Sequence, residues 1–284
     1  MNKVLIIPNT LKDADLSVTK QVVDKLLEFG ITPLIDKEFS EFLDIRAECF
    51  THYPSNAELV LVIGGDGSVI EASKIAISLN IPLLGVNLGN LGYLSEVETD
   101  ELDILKKLRS GEFIVEDKML LEAEIFKGGV TIASERLAVN DVIVSHSEYL
   151  GIADICLENS IGEMVKYRAD SVILATPAGS TAYALSAGGP IISHNLDSIT
   201  ATPVSPHSFF NRSIVYSAEE ELKVSNIGNT PLKVSIDGRF FDTLSKGDSC
   251  KIKKSNKRFK MLTFSENNMF TTLFDKLKIL SNIE

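Results

Sequence analysis

Three glycines around one carboxylate, Gly64-Gly65-Asp66-Gly67-Ser68, are the residues of this 284-residue chain most plainly suited to chemistry. Gly64, Gly65 and Gly67 permit positive φ and let the backbone approach a bulky anion closely. Amide N–H groups at a helix N-terminus suit phosphate, and Ser68 adds a hydroxyl. Asp66 is the one acid of the loop. A carboxylate repels phosphate, so Asp66 reads either as a magnesium ligand or as a base for an attacking hydroxyl. Gly-Gly-Asp-Gly also occurs as an ordinary tight turn. Its place between an apolar run and a helical stripe favours the phosphate loop. It lacks the Gly-Lys-Ser/Thr ending of a P-loop, and Gly65-x-Gly67-x-x-Ile70 lacks the third glycine of the dinucleotide fingerprint.

A second constellation is Asn140-Asp141, which interrupts the apolar run Leu137-Ala-Val-Asn-Asp-Val-Ile-Val144. Burying two polar groups without partners costs on the order of 1–3 kcal/mol each. The pair therefore meets a ligand or marks a strand end or bulge. An amide beside a carboxylate suits a sugar diol and a base edge. Tyr167-Arg168-Ala-Asp170-Ser171 leads into the apolar run Val172–Thr176, followed by Pro177-Ala-Gly-Ser-Thr-Ala-Tyr-Ala-Leu-Ser-Ala-Gly-Gly-Pro190. There Ser180, Thr181 and Ser186 offer hydroxyls and Tyr183 a stacking surface; the other reading is a solvated loop around a helix cap. Two glycine-rich loops and an Asn-Asp pair in one chain point to a nucleotide. His52, His146 and His194 have no metal-ligand spacing and read as surface or structural residues. His207 sits on the rigid stretch Pro203-Val-Ser-Pro-His207, as a structural residue or one that touches a ligand.

The elements that must carry these residues follow from periodicity. Lys3–Pro8 reads as a strand, Val18, Val22, Leu26 and Phe29 as a helix stopped at Gly30, and Ile31–Ile35 as a strand. Residues 36–56 show no clear pattern. Leu59–Ile63 is a strand covered on both faces, Val69 onward a helix, and Ile81–Asn87 another strand. This alternation predicts a parallel α/β sheet whose ligands bind beyond the strands' carboxyl ends, where both Gly64–Ser68 and Asn87–Gly92 fall. Asp100–Arg109 reads as a helix with Asp100 as its N-cap. From Lys118 to Thr263, short apolar runs alternate with turn residues such as Gly128-Gly129 and Asp237-Gly238, which predicts a largely antiparallel β domain. Met269, Leu273, Leu277 and Leu280 form a final helical stripe. The expected division is residues 1–115 completed by 264–284, and residues 116–263.

Composition excludes several classes. With 44% hydrophobic and 24% charged residues the chain is globular, and no apolar run nears the ~18 residues of a membrane span. A net charge of −11 argues against nucleic-acid or membrane partners. The lysines of Lys251–Lys260 alternate with apolar residues, as on a solvated strand face. Three widely spaced cysteines, Cys49, Cys156 and Cys250, fit reduced thiols and, with no leader-like start, a cytoplasmic protein.

Taken together these motifs resemble the NAD kinases. The markers run in order: Gly64-Gly-Asp-Gly67, Asn87-Leu-Gly-x-Leu-Gly92, Asn140-Asp141, Arg168-Ala-Asp170, Thr176-Pro-x-Gly-Ser-Thr-Ala-Tyr183, Ser186-Ala-Gly-Gly-Pro190 and Pro206-His207. The resemblance implies an α/β N-terminal domain with a Rossmann-like parallel sheet, a β-rich, mainly antiparallel C-terminal domain, and a homodimer or homotetramer. It implies transfer of the ATP γ-phosphoryl group, with Mg²⁺ or another divalent cation, to the 2′-hydroxyl of the adenosine ribose of NAD. By resemblance Asp66 is the proton acceptor, Gly67 helps cradle phosphate, and Asn140 and Asp141 hold the adenosine half. Arg168 and Asp170 lie near the dinucleotide. Thr181, Ala182, Tyr183, Ala184, Leu185 and Ser186 line the base pockets, His207 nears the product's 2′-phosphate, and Arg239 is the weakest carry-over. The sequence departs from the pattern at Ser68 and Ala178, where Thr is usual, at Asp141, where Glu is common, and at Ala169 and Ser171, which replace glycines. Phosphofructokinase-like and lipid kinases share Gly-Gly-Asp-Gly, but a lipid kinase would carry Pro-x-Gly-Thr-Gly-Asn-Asp after the loop. A non-catalytic dinucleotide sensor would not need Asp66.

Overall fold

A computed structural model describes residues 1–43, 47–89, 94–147, 151–207 and 210–264. The chain forms two compact units, Met1–Asp117 with a return from Phe259, and Lys118–Arg258.

The first unit contains β1 (Lys3–Pro8), α1 (Ser17–Glu28), β2 (Thr32–Asp36), α2 (Lys37–Leu43), β3 (Glu48–Phe50), β4 (Leu59–Gly64), α3 (Asp66–Leu79), β5 (Leu83–Asn87) and α4 (Lys106–Ser110). Its sheet runs β5-β4-β1-β2-β3, and every pairing is parallel. Both β4 and β5 are buried along their whole length, as continuous apolar sequence requires of inner parallel strands. Val22, Val23 and Leu26 of α1 join Val4, Ile6, Leu59, Leu61 and Ile63 in one core. The parallel α/β expectation is met.

One unassigned segment takes shape, and one local expectation is not met. Residues 36–56, without clear pattern in the sequence, contain α2 and β3, whose Ile35 and Asp36 partners extend the sheet by one short strand. Asp100 is not an N-cap: a 3₁₀ turn spans Leu102–Leu105, Glu101 precedes it without a side-chain cap, and α4 follows. Leu102, Leu105 and Leu108 are buried in the core; that spacing of three winds the segment tightly before it relaxes into α-helix.

The remaining elements, of which β6 begins and β17 ends in residues of the first unit, are β6 (Ile114–Lys127), β7 (Val130–Ala138), β8 (Asp141–His146), β9 (Ala153–Glu158), β10 (Met164–Ala169), β11 (Ser171–Ala175), α5 (Tyr183–Ser186), β12 (Ser198–Val204), β13 (Ile214–Ser217), β14 (Leu222–Asn226), β15 (Leu232–Ile236), β16 (Arg239–Leu244) and β17 (Ser249–Thr263). One antiparallel sheet is ordered β13-β12-β11-β8-β15-β16; β10-β9-β14-β17 form the other, with β6 beside β17 and β7 beside β6. Alternate residues of both sheets share a core: Val142 and Val144 of β8, Val172 and Leu174 of β11, Ile155 and Leu157 of β9, Cys250 and Ile252 of β17. Burial pushes the Cys250 thiol up to about 12, so it behaves as a small apolar residue. The solvated-face reading of β17 holds, since Lys251, Lys253 and Lys254 pair with Glu221, Glu122 and Glu219. The antiparallel expectation is met as well. The final helical stripe, Met269 to Leu280, lies outside the described residues.

Candidate functional site

In the first unit the glycine loop sits where β4 meets α3, beyond the carboxyl ends of β1, β4 and β5. Gly65 is extended and its carbonyl accepts the N–H groups of Ser68 and Val69, at 2.8 and 3.1 Å, starting the helix at Asp66 rather than at Val69. Asp66 thus stands in the first helical turn, where the macrodipole favours negative charge and amides point outward. Gly64 is obligatory on steric grounds: a Cβ there would fall 2.6 Å from the Cβ of Ser68. Ser68 Oγ accepts a bond from Asn9 Nδ2 at 2.7 Å, tying α3 to the end of β1.

Asp66 is half-buried, and its Oδ1 accepts the Leu94 N–H at 3.0 Å. Leu94 reaches that point because its segment crosses β5 at Gly85, where a Cβ would lie 3.0 Å from the Cα of Ser95. Asn87 ends β5 and binds Glu98 and the Gly89 carbonyl through Nδ2, so its amide is committed to shaping the loop. The rest of that motif, Asn90 to Gly92, lies outside the described residues.

A cation that the motifs did not single out also arrives here. The Lys12 ammonium bonds the Leu88 carbonyl at 3.2 Å and lies 3.0 Å from the point a Gly65 Cβ would occupy. Asn9 sets its turn by accepting the Leu11 and Lys12 N–H groups on Oδ1. Among the described residues Lys12 has no carboxylate partner, so its charge is directed at the loop.

In the second unit the candidate residues fall into two groups. At one end of β8 and β11, Asn140 and Asp141 are gripped from both sides. The Thr176 hydroxyl donates to the Val139 carbonyl at 2.7 Å and accepts from Gly179 N–H at 3.0 Å, while Thr176 N–H donates to the Asn140 carbonyl. The Asp237 carboxylate accepts the N–H groups of Val139, Asn140 and Asp141. Gly179 crosses so closely that a Cβ would stand 2.5 Å from the Asn140 carbonyl carbon. Asp141 is 4% exposed; desolvation, reinforced by the Asp237 carboxylate, pushes its carboxyl up to about 7.

The second glycine-rich loop follows β11. Ser180 is fully buried, donating to the Pro177 carbonyl and accepting from Ile192 N–H, and Thr181 Oγ1 donates to the Ala178 carbonyl at 3.0 Å. These two hydroxyls hold the loop together, unlike the ligand donors read from their residue type. Tyr183 is 46% exposed and opens α5, Ala184 packs on Ile173 and Ala175, and Ser186 faces solvent. Ala182 and Leu185 are partly buried between them.

The other group gathers at the opposite end of β11. His207 N–H bonds the Arg168 carbonyl at 2.7 Å, Asp170 N–H bonds the Val204 carbonyl, and the Asp170 carbonyl accepts His146 N–H. Arg168 points outward, 3.8 Å from Asp154. Register places Ser171 opposite Ser145 and Ala175 opposite Asp141, so the five residues of β11, about 16 Å, separate Asp170 from the level of Asp141. Arg239 begins β16 and is exposed, two residues past Asp237. Among the described residues no three His, Cys, Asp or Glu side chains gather to hold a metal.

Comparison with known proteins identifies the family. Family models match as "ATP-NAD kinase N-terminal domain" over residues 4–113 and "ATP-NAD kinase C-terminal domain" over residues 139–264. An NAD kinase of Thermoanaerobacter sp. is 36% identical over 281 residues, 98% of this chain and 99% of its own. This chain belongs to the NAD kinase family. It is therefore an ATP-dependent kinase, a transferase. Among solved structures, yeast NADH kinase complexed with NADH superposes with a TM-score of 0.83 at 21% identity, covering 98% of this chain and 87% of that one. The NAD kinase of Archaeoglobus fulgidus in complex with ATP gives 0.71 at 24% identity, covering 97% and 98%. These two share the fold. The family's glycine loop and Asn-Asp pair are legible as motifs. Lys12 and Asp237 are not, because each acts on residues far along the chain; Thr176 opens a quoted motif, but its grip on Val139 and Asn140 is visible only in space.

Proposed function

We propose that this NAD kinase family member phosphorylates the 2′-hydroxyl of the adenosine ribose of NAD with ATP, giving NADP, and that Asp66 accepts the hydroxyl proton. The observation that carries this is Asp66 itself, the only acid in a glycine loop at a helix N-terminus, with the Lys12 ammonium over the same loop. A ribose hydroxyl is a poor nucleophile until its proton is removed. The 2′-oxygen attacks the γ-phosphorus, the bond to the bridging oxygen breaks, ADP leaves with the electron pair, and the proton passes to an Asp66 carboxylate oxygen. Gly64, Gly65 and Gly67 let phosphate approach, α3 amides and Lys12 neutralise its charge, and Ser68 fixes the loop through Asn9.

Magnesium fits this donor set as a partner of ATP, since it is commonly held by one or two carboxylates and substrate phosphates rather than by a protein cage. Bound there it would neutralise phosphate charge, with Asp66 the one loop carboxylate available to it. Asn140 and Asp141 are assigned to the adenosine half, Arg168 and Asp170 to the dinucleotide, and residues 181–186 to the base pockets. His207 is assigned to the 2′-phosphate, and Arg239 to the dinucleotide. Residues 1–115 with 264–284 supply the phosphate loop, and residues 116–263 the dinucleotide residues. Self-association as homodimer or homotetramer is part of the same reading and rests on the family resemblance alone. No described helix is long and apolar enough to cross a membrane. Work in the cytoplasm, without nucleic-acid or membrane partners, suits the acidic chain and its free thiols.

Purified protein with Mg²⁺-ATP and NAD should form NADP in a coupled assay. NAD binding without NADP formation would make the protein a dinucleotide sensor and refute the proposal.

A further inference from the structure

Asp237 lies outside the motifs that carry the family resemblance, yet its carboxylate accepts the backbone N–H groups of both Asn140 and Asp141. Its Oδ2 accepts Val139 N–H at 2.8 Å, and its Oδ1 accepts Asn140 N–H at 2.8 Å and Asp141 N–H at 3.1 Å. Its own N–H donates to the Asp141 carbonyl at 3.0 Å. To do this Asp237 adopts φ 47°, a left-handed conformation that Asp and Asn tolerate better than other non-glycine residues, and Gly238 follows at φ +75°.

The N–H groups of residues 139, 140 and 141 all go to the Asp237 carboxylate. The carbonyls of 139 and 140 go to Thr176, and that of 141 to Asp237 N–H. All six groups are therefore engaged, and the backbone has no freedom to rotate. The side chains of Asn140 and Asp141, by contrast, have no hydrogen-bond partner among the described residues. A held backbone that presents one buried and one partly buried polar side chain without internal partners is the arrangement of a preorganised binding site, because the ligand then orders little on arrival.

We propose that Asp237 is a positioning residue for the dinucleotide: its carboxylate fixes the direction in which Asn140 and Asp141 are presented. This rests on the assignment of that pair to NAD under the proposed function. Asp237 itself touches no reacting atom and acts through its neighbours. Its effect should therefore fall on NAD and spare ATP, whose phosphates are assigned to the glycine loop.

The test is Asp237→Asn, which keeps the size and the left-handed tolerance but replaces one of two acceptor oxygens with a donor. Isothermal titration with NAD, steady-state kinetics and thermal melting would be read on the full-length enzyme. The expected result is at least a tenfold rise in the NAD dissociation constant and KM, with the ATP KM within about twofold of wild type. Leu222→Val, a core change in the same unit, controls for lost stability and should lower the melting temperature without moving the NAD KM. If Asp237→Asn does not fold, Gly238→Ala keeps the carboxylate and strains the turn; it should weaken NAD severalfold in the same selective way. Equal loss for NAD and ATP, or unchanged NAD affinity beside a lowered melting temperature, would reduce Asp237 to a structural strut. Wild-type enzyme that fails to bind NAD would overturn the parent assignment and this inference with it, whereas normal wild-type binding with an unaffected variant overturns this inference alone.

Discussion

Replacing Asp66 with Asn separates the two chemical roles open to that carboxylate. Asparagine keeps an oxygen where Oδ1 accepts the Leu94 N–H at 3.0 Å, so the link between α3 and the segment crossing β5 is preserved. What is lost is the negative charge in the first turn of α3, worth about 0.3–1 kcal/mol of helix stabilisation. For a chain of this size that lowers the melting temperature by no more than about 4 °C. Removing a general base costs about 10²- to 10⁴-fold in rate, or about 2.7–5.5 kcal/mol at 1.36 kcal/mol per tenfold. The catalytic effect therefore exceeds the structural one severalfold. Steady-state NADP formation should fall by at least a hundredfold in kcat, while calorimetric NAD affinity stays within about threefold. A kcat within tenfold of wild type would refute the base assignment. Recovery of the rate on raising magnesium would instead make Asp66 a metal ligand, since extra cation does not replace a missing base.

Three further outcomes are expected. Lys12→Met should raise the ATP KM by about 10–100-fold, the worth of a charge-assisted hydrogen bond of roughly 1.5–3 kcal/mol, with the melting temperature unchanged because the side chain is exposed; an unchanged ATP KM would remove Lys12 from the site. The Asp141 carboxyl titrates near 7 in the folded protein against 3.8 ordinarily, so the folded state holds the extra proton and stability is lost as pH rises from about 4 to about 7. Wild type should thus lose about 2–3 kcal/mol relative to Asp141→Asn between pH 5 and pH 8 in denaturant titrations; parallel profiles would show an ordinary carboxyl. Gly179→Ala should destabilise by about 1–3 kcal/mol, because its Cβ meets the Asn140 backbone and one strand connection must shift; a melting temperature equal to wild type would contradict that packing.

The fold was readable where a periodic signal and a burial requirement coincide. Leu59–Ile63 reads as a strand covered on both faces, and the six residues of β4, Leu59–Gly64, are buried throughout. In the β-rich unit, short apolar runs between turn residues mark the antiparallel strands, and the structure puts alternate residues of two of them, Val142, Val144, Val172 and Leu174, in one core. Reading failed where local pattern and tertiary packing diverge. Asp100 has the residue type of an N-cap, but burial of Leu102, Leu105 and Leu108 favours a 3₁₀ turn that begins after Glu101. The segment from Asp36 lacks periodicity because α2 and β3 are too short to show one, and β3 is held by its parallel pairing with β2.

For the site, residue type announces a capacity, and the partner decides its use. Ser180 and Thr181 have hydroxyls fit for a ligand, yet the Pro177 carbonyl, the Ile192 N–H and the Ala178 carbonyl consume them, so they stiffen the loop instead. Asn140 and Asp141 show the converse. Their side chains look like faults in an apolar strand until Thr176 and Asp237, 36 and 97 residues from Asn140, are seen to satisfy every backbone group around them. Lys12 reaches Leu88 across 76 residues. Such long-range partners leave no spacing rule in the sequence, and they settle which polar groups are spent on the fold. The groups that remain unspent, set on a backbone that has nothing left to adjust, are where a nucleotide can be bound without first reordering the protein.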